Sequence, residues 1–385
     1  MYFYDLAGYG KMIQDRIRTS AHHQALARAI KPGDVVVDLG AGTGLFTLHA
    51  CRLGAKLVHA IEPNPIIQVA REIVQANGFS DRVAFHQAMS FDVELSQPAN
   101  VVVTDPRGVL PLKERAIPTI IDARRRLLKP GGVLIPQRDT IWAALVEAPD
   151  IYHEHYDDAW RSANDGFDLE AARRRNINNF SRHRLELNQL LSEPVHWLLL
   201  DYRVIESASA RGRVQFEVER PGTTHGFALW FDTELIDGVS ISNCPGQAKL
   251  IYGQLFFPFQ EPLSVLPNQT ITVDLRADLV GGDYIWQWTS QTTSAASPEK
   301  SERRYHQSSL FSSVLGPEQL RKMSDQHVPS LNEEGVVHMR ALELMNSQRP
   351  LGQIAEAMAA EFPKRFRSSD DALGFVGDLS ARWSE

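Results

Sequence analysis

VVVDLGAGTGLF, residues 35–46, runs from a β-branched stretch through Asp38 into three glycines, Gly40, Gly42 and Gly44, and on into a helical pattern. Glycines at a strand-to-helix turn let the backbone approach a ligand closely, and the helix start offers unpaired N–H groups to it. What lies on either side decides the meaning of the loop. LVHAIEP (57–63), VAFHQAM (83–89), ANVVVTDP (99–106) and GGVLIP (131–136) are short Val- and Ile-rich runs. Between them, segments such as PIIQVAREIVQANG (65–78) and the run from residue 107 to Lys129 carry helical periodicity. Strands alternating with helices in this way predict a parallel sheet wrapped by helices, an α/β doubly wound, Rossmann-like domain over residues 1–136.

Glu62 stands at the end of the next strand, eighteen residues past Gly44, placed to accept hydrogen bonds from both hydroxyls of a ribose. A nicotinamide dinucleotide loop would read Gly-x-Gly-x-x-Gly; this one reads Asp-x-Gly-x-Gly-x-Gly. That spacing points to S-adenosylmethionine as the ligand.

Beyond residue 136 the pattern changes to alternating apolar and polar positions, as in DTIWAALVEAP (139–149), GFALWFDTEL (226–235) and QTITVDLRADL (269–279), which predicts an antiparallel β-barrel over 137–290. GFDLEAARRRNINNFSRHRLELNQLL (166–191) breaks that pattern as a helical, irregular excursion. Residues 291–317 are rich in Ser and Thr and read as a linker. Residues 318–385 then read as a small domain of three amphipathic helices, with Val337, Ala341, Leu342 and Met345, then Leu351, Ile354 and Met358, then Leu373, Val376, Leu379 and Trp383 as their inner faces.

Bulk composition narrows the function. A net charge of -7 argues against a protein whose main role is to neutralise nucleic-acid phosphates. The two cysteines, Cys51 and Cys244, follow no metal-ligand spacing, so neither a disulfide scaffold nor a metal site is expected. With no signal-peptide layout and no apolar run of about 18 residues, a cytoplasmic chain without membrane attachment is the expectation.

Over roughly residues 1–290 the sequence resembles the protein arginine methyltransferases. MIQDRIR supplies Met12, Ile13, Asp15 and Arg18 on that family's amino-terminal helix pattern, and the resemblance implies that Arg18 holds the cofactor's carboxylate. Asp38, Gly40, Gly42 and Glu62 match its cofactor loop and ribose acid, while Met89 and Ser90 fall where the family contacts the adenine. Residues 166–191 fall where its dimerisation arm lies, which implies a head-to-tail homodimer.

In TDPRGVLPLKE (104–114), Thr104, Asp105, Gly108 and Glu114 fall on the frame of the family's acidic hairpin, with Asp in place of the first Glu. The resemblance makes Asp105 and Glu114 the catalytic residues, because two carboxylates can grip a guanidinium, aim one nitrogen at the methyl group and stabilise the remaining charge. Three departures cut against an arginine-specific pocket. Asp is one methylene shorter than Glu. Arg107 stands where the family has methionine, either as an internal counter-ion to these acids or pointing to solvent. The family's Thr-His-Trp loop aligns with Leu250, Ile251 and Tyr252, so its histidine is missing.

The last three helices resemble PqqD-like domains, which bind a leader peptide by adding it as a strand to a sheet edge; a generic winged helix or a dimer-supporting bundle is the alternative for the same helices. That implies a ribosomal precursor peptide as partner, held near the methylation pocket. The expected function is methylation of a side chain of a peptide or protein, with nitrogen favoured as acceptor. Alternatives are O-methylation of a carboxylate or small molecule, and a cofactor-binding scaffold without catalysis.

Overall fold

The computed structural model describes residues 5–162, 165–293, 304–314 and 316–384. The chain divides into two compact units, Met1–Ser313 and Val314–Glu385.

In the first unit, strands β1 (Val35–Leu39), β2 (Leu57–Ile61), β3 (Val83–His86), β4 (Ala99–Thr104) and β5 (Leu128–Ile135) form one sheet in the order β3-β2-β1-β4-β5, every pairing parallel. β1 is buried along its whole length, which is why it reads as an unbroken apolar run around Asp38. Between β1 and β4 the order reverses, and a crevice at the carboxyl ends of the strands is the expected ligand position in such sheets. Helices α1 (Leu6–Gln14) and α2 (Arg16–Ala29) precede β1, and α3 (Leu45–Arg52) follows its glycine loop. The helical run after β4 ends at Leu127, short of the expected Lys129, because Leu128 already pairs with Ala99 and Pro130 cannot continue a helix.

Two antiparallel sheets build the barrel region. One joins Ser181–His183, Gln254–Val265, Gly222–Ile236, Arg138–Val146 and Val195–Asp201, with Val239–Ser242 beside it. The other joins Arg304–Ser308, Asp283–Thr293, Thr270–Val280 and Ala210–Glu217. Their shared core is aromatic. The Phe227 and Phe257 rings stack with centroids 5.1 Å apart, and Trp288 meets Phe257 edge-on at 5.3 Å. Each such pair adds about 1 kcal/mol beyond the area it buries.

Two expectations need correction. The excursion at 166–191 begins earlier, with helical turns over Pro149–Ser162 before the helix Glu170–Asn176, and its residues Ser181–His183 belong to the barrel as a strand paired with Gln254–Phe256. The linker expected at 291–317 is partly sheet, since Arg304–Ser308 pairs with Gln287–Gln291; residues 294–303 and 315 of it lie outside the described residues. Its polar composition misleads because buried Gln307 donates to the Ile177 carbonyl at 2.6 Å and the Ser308 N–H donates to Asn178 at 3.1 Å. Here polar side chains satisfy backbone groups of both the arm and the strand.

The second unit contains the three expected helices, Glu333–Met345, Leu351–Glu361 and Ser369–Trp383, preceded by the short helix Pro317–Lys322. Val337, Ala341, Leu344, Ile354, Met358 and Val376 are buried together with Phe366 from the loop. Leu342, Leu351, Leu373 and Trp383, expected inside, are 38%, 37%, 41% and 66% exposed. Among the described residues of this unit there is no strand, so the expected addition of a leader strand has no sheet edge there.

Candidate active site

A cavity of about 1190 Å³ opens at the carboxyl ends of β1–β4. Of the residues singled out from sequence, Arg18, Gly40, Gly42, Glu62, Met89, Ser90, Asp105, Arg107 and Glu114 all line it. Sheet topology alone explains this convergence, since each loop leaves a parallel strand at the same edge. Phe180 from the arm segment and Tyr252 and Trp286 from the barrel region line it as well. No helix among the described residues is long and apolar enough to cross a membrane, and no group of three or more metal-ligating side chains occurs among them.

The glycine loop forms one end. Gly40 has φ +78°, and no atom of the described residues lies within 4 Å of where its Cβ would stand, so among these residues the backbone is bare toward the cavity. Gly42, at φ +51°, is packed instead: a Cβ there would fall 2.6 Å from Cε1 of Tyr9, whose ring comes from α1. Glu62 is buried and ties the loop to the end of β2, accepting from the N–H of Gly42 at 3.1 Å and of Asn64 at 3.0 Å. Burial pushes its carboxyl above the ordinary range, and the two backbone donors offset part of that shift.

Asp38 differs from the other matched residues. It sits behind the loop, outside the cavity lining, and accepts from the Thr47 hydroxyl at 2.6 Å, so it anchors α3 against β1. Burial pushes it up to about 6, against the lowering effect of Thr47. Ser90 is 4% exposed, its Oγ buried without a hydrogen-bond partner among the described residues, while its carbonyl accepts from Arg126 at 2.8 Å.

At the other end lies a buried network of charges. Asp105 accepts from Arg18 Nε at 2.5 Å and from the Tyr252 hydroxyl at 2.6 Å through Oδ2, and Arg107 Nε stands 3.0 Å from Oδ1. The last contact is an ion pair whose angle falls short of a hydrogen bond, so Oδ1 is buried with no hydrogen-bond donor among the described residues. Arg107 continues to Asp139 at 3.0 Å and to Thr233; Asp139 also accepts from Thr233 and Tyr202. Arg107 is therefore an internal counter-ion and does not point to solvent, its side chain being 2% exposed.

The electrostatics are self-consistent. Burial alone would raise the Asp105 carboxyl, but the guanidiniums of Arg18 and Arg107 outweigh it and hold the group below the usual carboxylate range. Burial would likewise lower both arginines, yet Asp105 for Arg18, and Asp139 with Asp105 for Arg107, keep them above their ordinary values. Burial and the adjacent Asp105 charge both push the Tyr252 phenol up, so it stays protonated and donates. Pulling either arginine off Asp105 would strand a buried charge, a change that costs about 3–5 kcal/mol.

Glu114 is unlike Asp105. It is half-buried, its backbone is left-handed at φ 44°, and its side chain has no hydrogen-bond or ion-pair partner among the described residues. Strain of this kind, on the order of 1–3 kcal/mol, collects at functional positions. The two acids of the hairpin are therefore not equivalent: one is clamped, the other open.

Asp139, Thr233, Tyr202 and Tyr9 escaped the sequence reading. A signal existed for two of them, because Asp139 in RDTIWAALV and Thr233 in FDTEL are polar residues at inward-facing positions of alternating strands. Asp15, by contrast, belongs to a recognised pattern and does two jobs, capping α2 at the Arg18 N–H (3.0 Å) and accepting from the Ile251 N–H at 2.7 Å.

Residues 18–137 match the family described as Ribosomal protein L11 methyltransferase (PrmA), and residues 137–279 match the arginine methyltransferase oligomerization subdomain. Among curated proteins, the chain is 34% identical over 245 residues to probable protein arginine N-methyltransferase 6 of Arabidopsis thaliana, covering 60% of this chain and 56% of that protein. It is 27% identical to protein arginine N-methyltransferase 6 of Xenopus tropicalis, covering 70% and 83%. The chain spans 56–61% of the length of the first three curated relatives it matches. Among solved structures, Arabidopsis thaliana protein arginine methyltransferase 10 superposes with TM-score 0.70 at 20% identity, covering 79% of this chain and 98% of that one. The Trypanosoma brucei PRMT1 enzyme–prozyme heterotetrameric complex with AdoHcy gives TM-score 0.71 at 19% identity, covering 78% and 97%. The two family matches meet at residue 137, where the parallel sheet hands over to the antiparallel one. By sequence and fold together, the chain is protein arginine methyltransferase-like, a class I S-adenosylmethionine-dependent methyltransferase fold followed by a segment that matches the oligomerization subdomain of that family.

Proposed function

We propose that the chain transfers a methyl group from S-adenosylmethionine to a side-chain nitrogen of a peptide or protein. The observation that carries this reading is one cavity holding both a bare glycine turn with a ribose-type acid, Gly40 and Glu62, and an acidic hairpin, Asp105 and Glu114, at its other end. The residues present fit the donor: Glu62 would take the ribose, the bare backbone at Gly40 leaves room for the amino-acid end, and Met89 and Ser90 would border the adenine. Arg18 serves the donor carboxylate through the part of its guanidinium that Asp105 does not hold. When bound, the donor supplies an activated methyl on sulfonium. The chain's own part is to align a nucleophile with that carbon, exclude water and receive the proton released.

Asp105 works in this scheme as a positioning residue, locking Arg18, Arg107 and Tyr252 in one arrangement, and Glu114 is the acid that faces the acceptor. The test is incubation of the full chain with labelled donor and candidate peptides, read by intact mass. Gain of one methyl group, lost in Glu62→Gln, is the expected result. Donor binding without transfer to any peptide would favour the cofactor-binding scaffold, a reading that the clamped state of Asp105 also suits.

Three finer points belong to the same proposal. The arm around 149–191 is taken as the contact of a homodimer, measurable by light scattering, in a cytoplasmic setting. A ribosomal precursor peptide is the candidate partner of residues 318–385. Because the described part of that unit offers helices, capture would use exposed apolar positions such as Leu331, Met339 and Leu373.

A further inference from the structure

Neither helix nor strand covers residues 105–115, the hairpin that carries both acids, or residues 243–253, the loop that brings Tyr252 to Asp105. Without a ladder of backbone hydrogen bonds of their own, such segments take their place from the groups that hold their backbone. One buried side chain holds both. Asn243, 3% exposed, directly follows the strand Val239–Ser242. Its Oδ1 accepts from the Phe231 N–H at 2.7 Å, and its Nδ2 donates to the Gly253 carbonyl and, over a longer 3.4 Å, to the Val109 carbonyl. A primary amide offers one carbonyl and two N–H bonds, and each has a task here. One N–H on the oxygen side and two carbonyls on the nitrogen side also fix which way the amide points.

Each of these bonds leads to the charged end of the cavity by its own route. Val109 lies between the two acids and lines the cavity. Gly253 adjoins Tyr252, whose hydroxyl donates to Asp105 Oδ2 at 2.6 Å. Phe231 meets the Tyr252 ring edge-on, with centroids 5.3 Å apart, and the Arg107 guanidinium carbon stands 5.3 Å from the Phe231 ring centre. Asn243 is not one of the residues that line the cavity, so it acts on an acceptor through these neighbours.

Resting on the methyl-transfer reading above, we propose that Asn243 is a positioning residue for that reaction: its side-chain amide ties the acidic hairpin to the Tyr252 loop, so that Asp105 and Glu114 meet the acceptor in one geometry. Displacing groups that orient a nucleophile costs rate more than it costs binding. Aspartate at 243 would keep the shape of the side chain but, when ionised, would have no donor and would turn a charge toward the carbonyls of Gly253 and Val109. The donor end, built from Gly40 and Glu62, makes no contact with this amide, whose side-chain bonds go to Phe231, Gly253 and Val109.

Wild type and N243D, each as the full chain, are compared in three measurements. Calorimetry gives the affinity for S-adenosylhomocysteine and the number of sites that bind it. Steady-state kinetics on a synthetic peptide with one central arginine, at saturating S-adenosylmethionine, gives kcat and KM. Hydrogen exchange read by mass spectrometry covers residues 105–115 and 249–255. For N243D the expected result is a kcat at least about fivefold lower per donor-binding site, KM and S-adenosylhomocysteine affinity within about threefold, and exchange in both segments at least about fivefold faster. A smaller fall in kcat overturns the proposal. So does a loss of donor-binding sites that accounts for the whole fall, because a change that only lowers the folded fraction has that signature. If wild type labels no peptide, the methyl-transfer reading fails by itself and exchange decides the positioning role: unchanged exchange at 105–115 in N243D overturns it. Should N243D fail to fold, NMR of wild type labelled with 15N-asparagine decides. Both Nδ2 protons of Asn243 should then exchange with water at least about a hundredfold more slowly than those of free asparagine, and exchange at the free rate overturns the proposal.

Discussion

Asp38 and His22 are buried groups that burial drives in opposite directions toward the same uncharged state. Asp38 rises from 3.8 to about 6, and His22, stacked on Phe46 at 4.7 Å, falls from 6.5 to about 4. Between pH 3.8 and 6 native Asp38 keeps a proton that the unfolded chain has released, so its contribution to stability is present in acid and is lost as pH rises through that window. For His22 the unfolded chain binds a proton below 6.5 and the native chain only below about 4, so its contribution is present near neutrality and is lost as pH falls. The two slopes oppose each other, and each amounts to roughly 3 kcal/mol across its window. Relative to wild type, Asp38→Asn should lose stability on acidification from pH 6.5 to 4, and His22→Gln should gain it over the same range. Chemical denaturation at four pH values checks both; parallel curves for all three proteins would contradict the assignment. At this scale the sequence carried the cavity residues of the glycine loop and of the next strand's end, because Gly40 and Glu62 are read from their position along one strand-turn-helix-strand unit. It could not show that Arg107 faces Asp139 or that Asp38 lies behind the loop, since those outcomes depend on which way a side chain turns after the barrel packs on the sheet.

At the scale of elements, the junction of α1 and α2 governs the site. Asp15 caps α2, which carries Arg18, and its second oxygen holds the Ile251 N–H, one residue before Tyr252. A single carboxylate therefore sets the distance between the front helix and the barrel loop that together clamp Asp105. Asp15→Ala should lose about 1–2 kcal/mol of stability from the cap alone, measured by urea denaturation. It should also speed hydrogen exchange at the Ile251 amide; unchanged exchange there would show that the loop is held by something else. The helix, strand and loop order of residues 35–136 was legible because period-2 and period-3.6 patterns are local. The strand at Arg304–Ser308 was not, because its polar residues are buried against Ile177 and Asn178, about 130 positions earlier in the chain.

For the whole molecule, the two units have separate cores. The large core runs through the parallel sheet and the barrel, a smaller one lies under the arm, and neither includes a residue beyond Ser313. The core of residues 337–379 is self-contained. Truncation after Ser313 should therefore leave a folded protein whose midpoint of thermal unfolding lies within a few degrees of the corresponding transition in the full chain. Donor affinity should be unchanged by the truncation, and methylation of a short peptide retained. If residues 318–385 capture a precursor, the same truncation should raise KM for full-length precursor without changing kcat; an unchanged KM would remove that role.

What the sequence determined by itself is the order of layers and the loop edge at which function collects, because hydrophobic periodicity and glycine spacing act within a few residues of one another. What only the tertiary structure decided is the charge state of the pocket. Arg18 meets Asp105 across 87 positions, Tyr252 meets it across 147, and Arg107 meets Asp139 across 32. Coulomb energies depend on distance in space and on burial, and both come into being only when the barrel closes over the sheet.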